Sequence, residues 1–434
     1  MTQLRNYQWE AVKEILDKRR VLLEDEMGLG KTAEAIAAKV AIETAQGKDV
    51  NTLVVCPPSV VQLWENLSKL WYPKGVNTRI TRVRAPTFIE DIGTAVGSDF
   101  TLTTYPVLSK VGKNNEAERL IDIGCGYGIV DEVQNAKNPT SFRSMGVKKV
   151  FDSMDYLAAL SGTPIPNSIV DIYIVLSLLD PEQFPITEGS EKAILSSFYR
   201  MFREDPEFVK RILDDRRLVR RVQDYMPTQF PELRQHDLEV RLEGEHADVY
   251  KEIYENDEIR AGNKLWELVR ASIDPNLVSP NSLSDKLSLR LGEMESSVYS
   301  SLDNLIEEII GNGGKALIFS TLKGGVTRSL SRRYQKYGAE FIDGDINVDR
   351  EGEEVSLREG IRKRFQQDPD CGVLVATTVM DEGVDLTAAT HIIHLTLPYT
   401  PATFAQRNSR SLRIGEVEKE GLEVYVVRPY IDGF

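Results

Sequence analysis

The feature that most constrains this chain is a glycine-containing loop, EDEMGLGKT at residues 24–32, between a short apolar run and a helical segment. The apolar run at 21–23 predicts a strand, and the following TAEAIAAKVAIETAQG predicts a helix that ends at Gly47. A strand joined to a helix in this way is typical of a parallel sheet with helices on its faces. The loop therefore predicts an α/β fold.

The same loop has the residue types of a phosphate-binding site. Gly28 and Gly30 would let the backbone approach a phosphate closely, and amide groups at the helix N-terminus would hold its oxygens. Lys31 would neutralise negative charge, and the Thr32 hydroxyl would bind magnesium. The general pattern has a glycine five residues before Gly30, where this chain has Asp25. A solvated glycine-rich turn therefore remains an alternative on this pattern alone.

The rest of the chain contains two series of alternating strands and helices. With 434 residues, the chain is long enough for two domains of about 200 residues each. Further strand candidates lie at 52–56, 100–103, 128–131 and 157–161, and then at 315–321, 339–342, 372–377, 391–395 and 422–427. We predict an N-terminal lobe at 1–225, a helical insertion and connection at 226–310, and a C-terminal lobe at 311–434. Each lobe is expected to contain a parallel sheet flanked by helices.

The composition bears on how the protein could bind nucleic acid and on where in the cell it is expected. Lysine and arginine total 53 against 67 aspartates and glutamates, which gives a net charge of −14. Any nucleic-acid contact must therefore come from a local groove rather than from the charge of the whole molecule. No apolar run of about 18 residues predicts a membrane span, and the three cysteines have neither disulfide-framework density nor metal spacing. We expect a cytoplasmic or nucleoid-associated protein that contacts no membrane.

An acidic pair follows the predicted strand GYGIV. Asp131 and Glu132 come at the carboxyl end of that strand, where open parallel sheets present ligand-binding residues. Asp131 could hold magnesium through water, and Glu132 could orient or deprotonate an attacking water. An acidic pair alone is usually only solvated, but its combination with the upstream Gly-Lys-Thr loop indicates a nucleotide site.

Six further motifs lie in order along the chain. They are LRNYQWEAV at 4–12, VVCPPSVVQLWENLSKLW at 54–71, LSGTPIPN at 160–167, KALIFSTLKGG at 315–325, VATTVMDEGVDL at 375–386 and QRNSRSLRIGE at 406–416. Together with the loop and the acidic pair, this order resembles superfamily 2 helicases, and specifically the Swi/Snf-type ATPases. That family's phosphate loop also has an acidic residue at the position of Asp25, which removes the doubt about the loop. The resemblance implies two RecA-like lobes that bind ATP and Mg²⁺ between them.

The resemblance also assigns roles to individual residues. Catalytic roles are implied for Lys31, Asp131, Glu132, Arg410 and Arg413, and metal binding for Thr32 and Asp131. Nucleotide contacts are implied for Gln8, which would read the adenine, and for Met27, Gly28, Leu29, Gly30, Lys31, Thr32, Gly383 and Asp385. Contacts with the nucleic-acid backbone are implied for Ser59, Trp64, Thr104, Thr321, Lys323 and Thr377. Coupling of hydrolysis to movement is implied for Gln134, Ser161, Gly162 and Thr163.

Some residues depart from the family pattern. Gln134 replaces a histidine and cannot titrate, Asp385 replaces the usual asparagine, and Ser409 replaces a glycine. The segment LVRRVQDYMP at 218–227 resembles the family's connector between lobes, although a basic solvent-facing helix would have the same composition.

The resemblance implies an ATP-dependent motor that moves along DNA and remodels DNA or protein–DNA complexes. Duplex DNA is the favoured partner, single-stranded or branched DNA is possible, and RNA is not excluded. One alternative is a strand-separating helicase acting on DNA or RNA. Another is a nucleic-acid-binding regulatory subunit whose ATPase is vestigial.

Overall fold

The chain divides into two compact units, Met1–Pro227 and Thr228–Phe434. The structure is a computed structural model, and it describes residues 3–114, 116–162, 169–185, 191–225, 232–322, 325–343, 357–377, 386–398, 400–412 and 421–433. Within these residues, both units contain a parallel sheet flanked by helices, which confirms the predicted fold class.

The first unit is built on a seven-stranded sheet with the order β3-β4-β2-β5-β6-β1-β7. Its strands are β1 Arg20–Leu23, β2 Thr52–Cys56, β3 Ile80–Arg82, β4 Phe100–Thr104, β5 Tyr127–Asp131, β6 Tyr156–Leu160 and β7 Arg217–Leu218. Its α-helices are α1 Asn6–Lys18, α2 Lys31–Gln46, α3 Val61–Trp71, α4 Phe88–Ala95, α5 Tyr105–Asn114, α6 Ala117–Ile121, α7 Phe142–Phe151, α8 Tyr173–Leu179, α9 Glu191–Glu204, α10 Pro206–Arg216 and α11 Val222–Tyr225. Short 3-10 helices lie at Pro58–Val60, Gly75–Asn77, Val133–Ala136 and Ile169–Ile172.

Both faces of this sheet are buried. In β1, Leu22 packs into the core on one face, whereas Val21 and Leu23 pack into the core on the other. Every residue of β2 is buried, as expected for a strand with helices on both sides. The near-continuous apolar runs that predicted these strands therefore have a physical cause.

The strand register places three strand ends level with one another. Leu160 at the end of β6 pairs with Asp131 of β5 on one side and with Leu23 of β1 on the other. Because the strands are parallel, the segments that follow them leave the sheet at the same edge. The loop at 24–30, the acidic pair and Ser161 are thereby brought together.

The second unit contains a six-stranded parallel sheet with the order β10-β11-β9-β12-β13-β8. Its strands are β8 Glu232–Arg241, β9 Ala316–Phe319, β10 Glu340–Ile342, β11 Val373–Ala376, β12 His391–His394 and β13 Gly421–Tyr430. Its α-helices are α12 Gly244–Glu255, α13 Ala261–Ile273, α14 Asp285–Ser288, α15 Ser297–Gly311, α16 Gly325–Arg333, α17 Leu357–Gln367 and α18 Pro401–Ser409, with 3-10 helices at Pro275–Leu277, Pro280–Ser282 and Gln335–Tyr337.

The segment expected to be a helical insertion, 226–310, is more closely tied to the second unit than its composition indicated. It contains strand β8, which pairs with β13 along its whole length, from Glu232 with Gly421 to Arg241 with Tyr430. Nearly all of β8 is exposed, because it is an edge strand held by backbone hydrogen bonds rather than by apolar side chains. A pattern search based on apolar residues therefore missed it, as it missed the short strands β3 and β7.

Among the described residues, no helix combines the length and apolar character needed to cross a lipid bilayer.

Helices α5 and α7 cross at two glycines that permit unusually close contact. A Cβ atom at Gly146 would lie 2.1 Å from the carbonyl oxygen of Leu108, and one at Gly112 would lie 2.0 Å from the carbonyl oxygen of Phe142. Backbone atoms cannot move aside as a flexible side chain could. The two positions therefore require glycine.

We predict that Gly146→Ala lowers the free energy of unfolding by about 2 kcal/mol or more, because the added methyl group pushes the two helices apart. The measurement is chemical denaturation followed by circular dichroism. Gly93→Ala in α4 is the matched control, because a Cβ there meets no atom within 4 Å and alanine favours a helix by about 1 kcal/mol. Equal effects of the two substitutions would contradict the prediction.

Candidate functional site

The phosphate loop has the backbone geometry that its glycines predict. Gly28 has a φ of 95° and Gly30 a φ of 91°, a region that other residues rarely adopt. Helix α2 begins at Lys31, immediately after the loop. The Nζ atom of Lys31 donates to the carbonyl oxygen of Asp25 at 2.5 Å, so the ammonium group lies over the loop. This arrangement can hold a phosphate between backbone amides and a cation.

Gln8, expected to read the adenine, is bonded within the protein. Its Oε1 accepts from the backbone amide of Arg5 at 2.9 Å, and its Nε2 donates to the carbonyl oxygen of Leu29 at 3.0 Å. A Cβ atom at Gly30 would lie 2.5 Å from that Nε2. In this structure Gln8 therefore ties α1 to the phosphate loop, and base recognition would require it to share or exchange one of these bonds.

The acidic pair is held firmly at the end of β5. The Tyr105 hydroxyl donates to the backbone carbonyl oxygens of Asp131 at 2.6 Å and Glu132 at 3.0 Å. Glu132 has a φ of 51°, and Arg19 is the other described non-glycine residue with a positive φ. Such a conformation costs about 1 to 3 kcal/mol and persists where the surroundings impose it. The pair is thus placed by its backbone as well as by its side chains.

Trp64, expected to contact nucleic acid, is buried beside the acidic pair. Its side chain is 1% exposed, and its indole Nε1 donates to Asp131 Oδ2 at 2.7 Å. This hydrogen bond from α3 orients the carboxylate of Asp131. The expected contact of Trp64 with nucleic acid stays a prediction.

The charged groups of the site perturb one another. Burial, and then the negative charge of Glu132, raise the pKa of Asp131 to about 7, against the opposing effects of the Trp64 hydrogen bond and the Lys31 charge. Burial lowers the pKa of Lys31, while Glu132, Asp25 and Asp131 act in the opposite direction. Perturbed values of this kind are common where charged ligands bind.

The donor atoms of the site suit magnesium. Thr32 offers a hydroxyl oxygen and Asp131 a carboxylate oxygen, and hard oxygen ligands of this type are the ones that Mg²⁺ prefers. The raised pKa of Asp131 indicates a carboxylate whose negative charge lacks full compensation in the protein alone. A divalent cation would supply that compensation and would neutralise charge on a bound triphosphate.

A chain of hydrogen bonds joins the acidic pair to the next strand end. The Gln134 Nε2 donates to Glu132 Oε2 at 2.5 Å, and the Ser161 hydroxyl donates to Gln134 Oε1 at 2.7 Å. Of the residues expected to couple hydrolysis to movement, Gln134 is therefore bonded to Glu132 directly and Ser161 is linked to it through Gln134. Gly162 follows Ser161 without a side chain, and Thr163 lies outside the described residues.

The residues expected to contact nucleic acid differ in accessibility. Ser59, Thr104 and Thr321 are partly exposed, and the Thr321 hydroxyl lies 2.9 Å from that of Thr396. Thr377 is fully buried, and its expected contact with nucleic acid stays a prediction. Lys323 lies outside the described residues.

In the second unit, the structure describes part of the expected nucleotide site. Arg410 directly follows α18 and is 3% exposed, and its carbonyl oxygen accepts from the backbone amide of Leu386 at 2.9 Å. Arg413, Gly383 and Asp385 lie outside the described residues. The expected roles of these four residues remain predictions.

Sequence reasoning missed two residues that shape the site. Tyr105 holds the backbone of the acidic pair, whereas the sequence pointed only to its neighbour Thr104, as a nucleic-acid contact. Arg220 is buried and bonds to Asp25, the acidic residue at the usual position of a glycine. The arginine pair at 220–221 was a visible signal, but nothing in the sequence pairs it with a residue 195 positions earlier.

Two family models match the sequence. The SNF2-related domain matches residues 3–287, and the helicase conserved C-terminal domain matches residues 299–415.

Two curated proteins illustrate the similarity to known relatives. The chain is 25% identical over 443 residues to chromodomain-helicase-DNA-binding protein 1-like of Mus musculus, covering 95% of this chain and 46% of that protein. It is 24% identical over 446 residues to an uncharacterized ATP-dependent helicase of Mycoplasma pneumoniae, covering 98% of this chain and 40% of that protein. The chain thus spans less than half the length of these two relatives.

Among solved structures, the Sulfolobus solfataricus SWI2/SNF2 ATPase core in complex with dsDNA is similar over 99% of this chain and 88% of that chain. The TM-score is 0.45 and the sequence identity is 23%.

We predict that, in the absence of magnesium and nucleotide, Asp131→Asn raises the free energy of unfolding, and that this gain increases as pH rises. Between the ordinary value of 3.8 and about 7, the folded protein keeps a proton on Asp131 that the unfolded chain releases. The free energy of unfolding therefore falls as pH rises through this window, and asparagine removes that loss.

The gain should level off above the raised pKa, at about 1 to 2 kcal/mol after allowance for partial solvent access. Thermal unfolding between pH 4 and pH 8 measures it, and Asp122→Asn at an exposed position is the control. A gain of equal size at both ends of that pH range would contradict the prediction.

Proposed function

This chain belongs to the family of the SNF2-related domain, and from that premise we propose that it is a motor that hydrolyses ATP to move along double-stranded DNA. The match to residues 3–287 confirms the family that the motifs indicated. Hydrolysis by this chain and movement on duplex DNA are the steps proposed beyond membership of the family.

The observation that carries the proposal is the hydrogen-bonded cluster at one edge of the first sheet. There the strand ends bring the Lys31 loop and the acidic pair together, and Gln134 and Ser161 connect Glu132 to the end of the adjacent strand. Phosphoryl transfer requires positioning and charge neutralisation more than covalent chemistry, and this cluster offers both.

Each residue of the cluster has a role in the proposed hydrolysis. Lys31 would neutralise charge on the bound phosphates, and Thr32 and Asp131 would hold Mg²⁺. Glu132 orients the attacking water and accepts its proton. From the second unit, Arg410 and Arg413 would contact the triphosphate, since a guanidinium group stabilises the charge of the transition state.

The DNA part of the proposal draws on the relatives and on the character of the chain. One relative is named a DNA-binding protein, and the similar solved core is in complex with dsDNA. A chain with a net charge of −14 would engage DNA through a local surface. Partly exposed hydroxyl groups such as those of Ser59, Thr104 and Thr321 suit contacts with phosphate rather than with base edges, so movement would be largely independent of sequence.

We further propose the functional division of the chain. The segment 1–225 is assigned to the N-terminal lobe, 226–310 to the insertion and connection, and 311–434 to the C-terminal lobe. Strand β8 makes the second segment structurally part of the second sheet.

We predict that blunt duplex DNA raises the rate of phosphate release and that Glu132→Gln lowers that rate by about 100-fold or more, because the general base is lost. Lys31→Ala should abolish turnover as well. Glu90→Gln, an exposed change of the same type on α4, is the control. Rates are compared at fixed salt with duplex, single-stranded and forked DNA and with RNA.

The outcomes separate the parts of the proposal. Basal turnover that is lost in Glu132→Gln but is not stimulated by duplex DNA would remove the DNA assignment and keep the ATPase. ATP-dependent opening of a labelled fork without displacement of a triplex would favour a strand-separating helicase. A wild-type chain with no turnover under any of these conditions would leave the regulatory alternative.

We predict that Gln134→Ala reduces the ratio of DNA-stimulated to basal turnover by about 10-fold, because the link between Glu132 and Ser161 is broken. ATP affinity should change little, since Gln134 does not touch the phosphate loop. Steady-state kinetics with and without duplex DNA measure both quantities. The control is Gln46→Ala at the exposed end of α2, and an unchanged stimulation ratio in Gln134→Ala would contradict the coupling role.

A further inference from the structure

Four residues from distant parts of the first unit form a buried charged group at the phosphate loop, here named the Arg220 cluster. The Arg220 guanidinium donates from Nε to Asp25 Oδ1 at 3.0 Å and from Nη2 to Asp25 Oδ2 and to Glu34 Oε1, the last at 2.7 Å. Its Nη1 donates to the backbone carbonyl oxygen of Tyr7, and its central carbon lies 5.1 Å from the centre of the Tyr7 ring. The guanidinium thus contacts α1, the loop and α2 at once.

The burial of this cluster indicates that it fixes the relative positions of the elements it joins. The side chains of Arg220, Asp25 and Glu34 are 2%, 0% and 0% exposed. Buried ion pairs contribute little net stability, since apolar residues of the same volume often serve as well or better. A bidentate fork does, however, fix the relative position of its partners in a way that apolar contacts cannot.

The cluster leads directly to the residue that would bind phosphate. The side chain of Asp25 is held by Arg220, and its carbonyl oxygen accepts from Lys31 Nζ at 2.5 Å. Tyr7, which accepts from Arg220 through its carbonyl oxygen, donates its hydroxyl to the carbonyl oxygen of Leu29 at 2.9 Å. Displacement of Arg220 would therefore disturb the loop at Asp25, before its glycines, and at Leu29, between them.

Arg220 also belongs to the last described segment of the first unit, residues 217–225, which we call the connector. The connector begins with β7, Arg217–Leu218, which pairs in parallel with β1. The backbone amide of Glu24 donates to the carbonyl oxygen of Leu218 at 2.8 Å, and that of Glu26 to the carbonyl oxygen of Arg220 at 2.9 Å. In the sequence the second unit follows the connector, so the phosphate loop is hydrogen-bonded to the segment that precedes the second unit.

We infer that Arg220 is a positioning residue of the nucleotide site, and that it makes the placement of Lys31 depend on the placement of the connector. A shift of the connector would move the guanidinium relative to Asp25 and Glu34, and would thereby disturb the Asp25 carbonyl group that accepts from the Lys31 ammonium. Nucleotide affinity and connector position are then coupled, and each affects the other by the same factor. The inference rests on the proposed binding of ATP at this loop.

The coupling also gives a physical reason for Asp25. A glycine at that position would leave Arg220 with one carboxylate, that of Glu34, and would remove the bond from the guanidinium to the loop. The adjacent Arg221 is exposed, which makes it a natural comparison for Arg220.

The test compares Arg220→Lys with Arg221→Lys in the full chain. Lysine keeps the positive charge but cannot form the fork, so we expect the dissociation constant for MgATP to rise by about 10-fold or more. Turnover at saturating ATP should fall less than the affinity, because Asp131 and Glu132 are not touched. Arg221→Lys should bind MgATP within about twofold of the wild-type chain.

Thermal unfolding of the same variants separates positioning from stability. A lower unfolding temperature in Arg220→Lys with unchanged MgATP affinity would overturn the inference and leave Arg220 a structural residue. Asp25→Asn is the second variant. It keeps the shape of the Asp25 side chain, removes the charge that faces Arg220, and should also weaken MgATP binding. If the wild-type chain does not bind MgATP, it is the proposed function that fails.

Hydrogen–deuterium exchange of the wild-type chain gives a test that needs no variant. Saturating MgATP should slow the exchange of amides in the connector, 217–225, together with those of the loop, 24–30. Protection of the loop with an unchanged connector would overturn the coupling. The edge strand β3, which lies at the other side of the sheet, serves as the internal reference.

Discussion

The level ends of the parallel strands β1, β6 and β5 are the constraint on which the candidate site depends. Their register leaves the phosphate loop, Ser161 and Asp131 at one edge of the sheet. The pairing of the backbone therefore brings these segments together without any contact between their side chains. The hydrogen bonds from Trp64 and Tyr105 then orient the side chain and the backbone of the acidic pair.

Much of this arrangement can be predicted from the sequence because it depends on local patterns. A strand buried on both faces requires a run of apolar residues, so β1, β2 and β5 can be predicted from the sequence. A loop with positive φ angles favours glycine, so the phosphate loop can be predicted as well. Strand β8 could not be found in this way, since backbone pairing at a sheet edge needs no apolar side chains. The resemblance to a known family rested instead on the order of the motifs along the chain. The periodicity of apolar residues carries no such information.

The contacts that sequence reasoning did not find are those set by tertiary packing. Trp64 lies in a motif associated with nucleic acid, yet the indole hydrogen bond is to Asp131, 67 residues away. Arg220 and Asp25 are 195 residues apart, and only the path of β7 alongside β1 brings them together. Residue type alone does not determine whether a tryptophan is exposed or which acid an arginine meets. Both depend on how the whole unit closes around its sheet.

The bonds from Ser161 through Gln134 to Glu132 have a direction that a histidine in the middle would not impose. A carboxamide has one donating end and one accepting end, and here the accepting end faces a hydroxyl group and the donating end faces a carboxylate. Rotation of the amide by half a turn would set acceptor against acceptor at Glu132. The row of dipoles is therefore polarised one way, and in the proposed coupling it would pass a displacement of one strand end to the next without moving a proton.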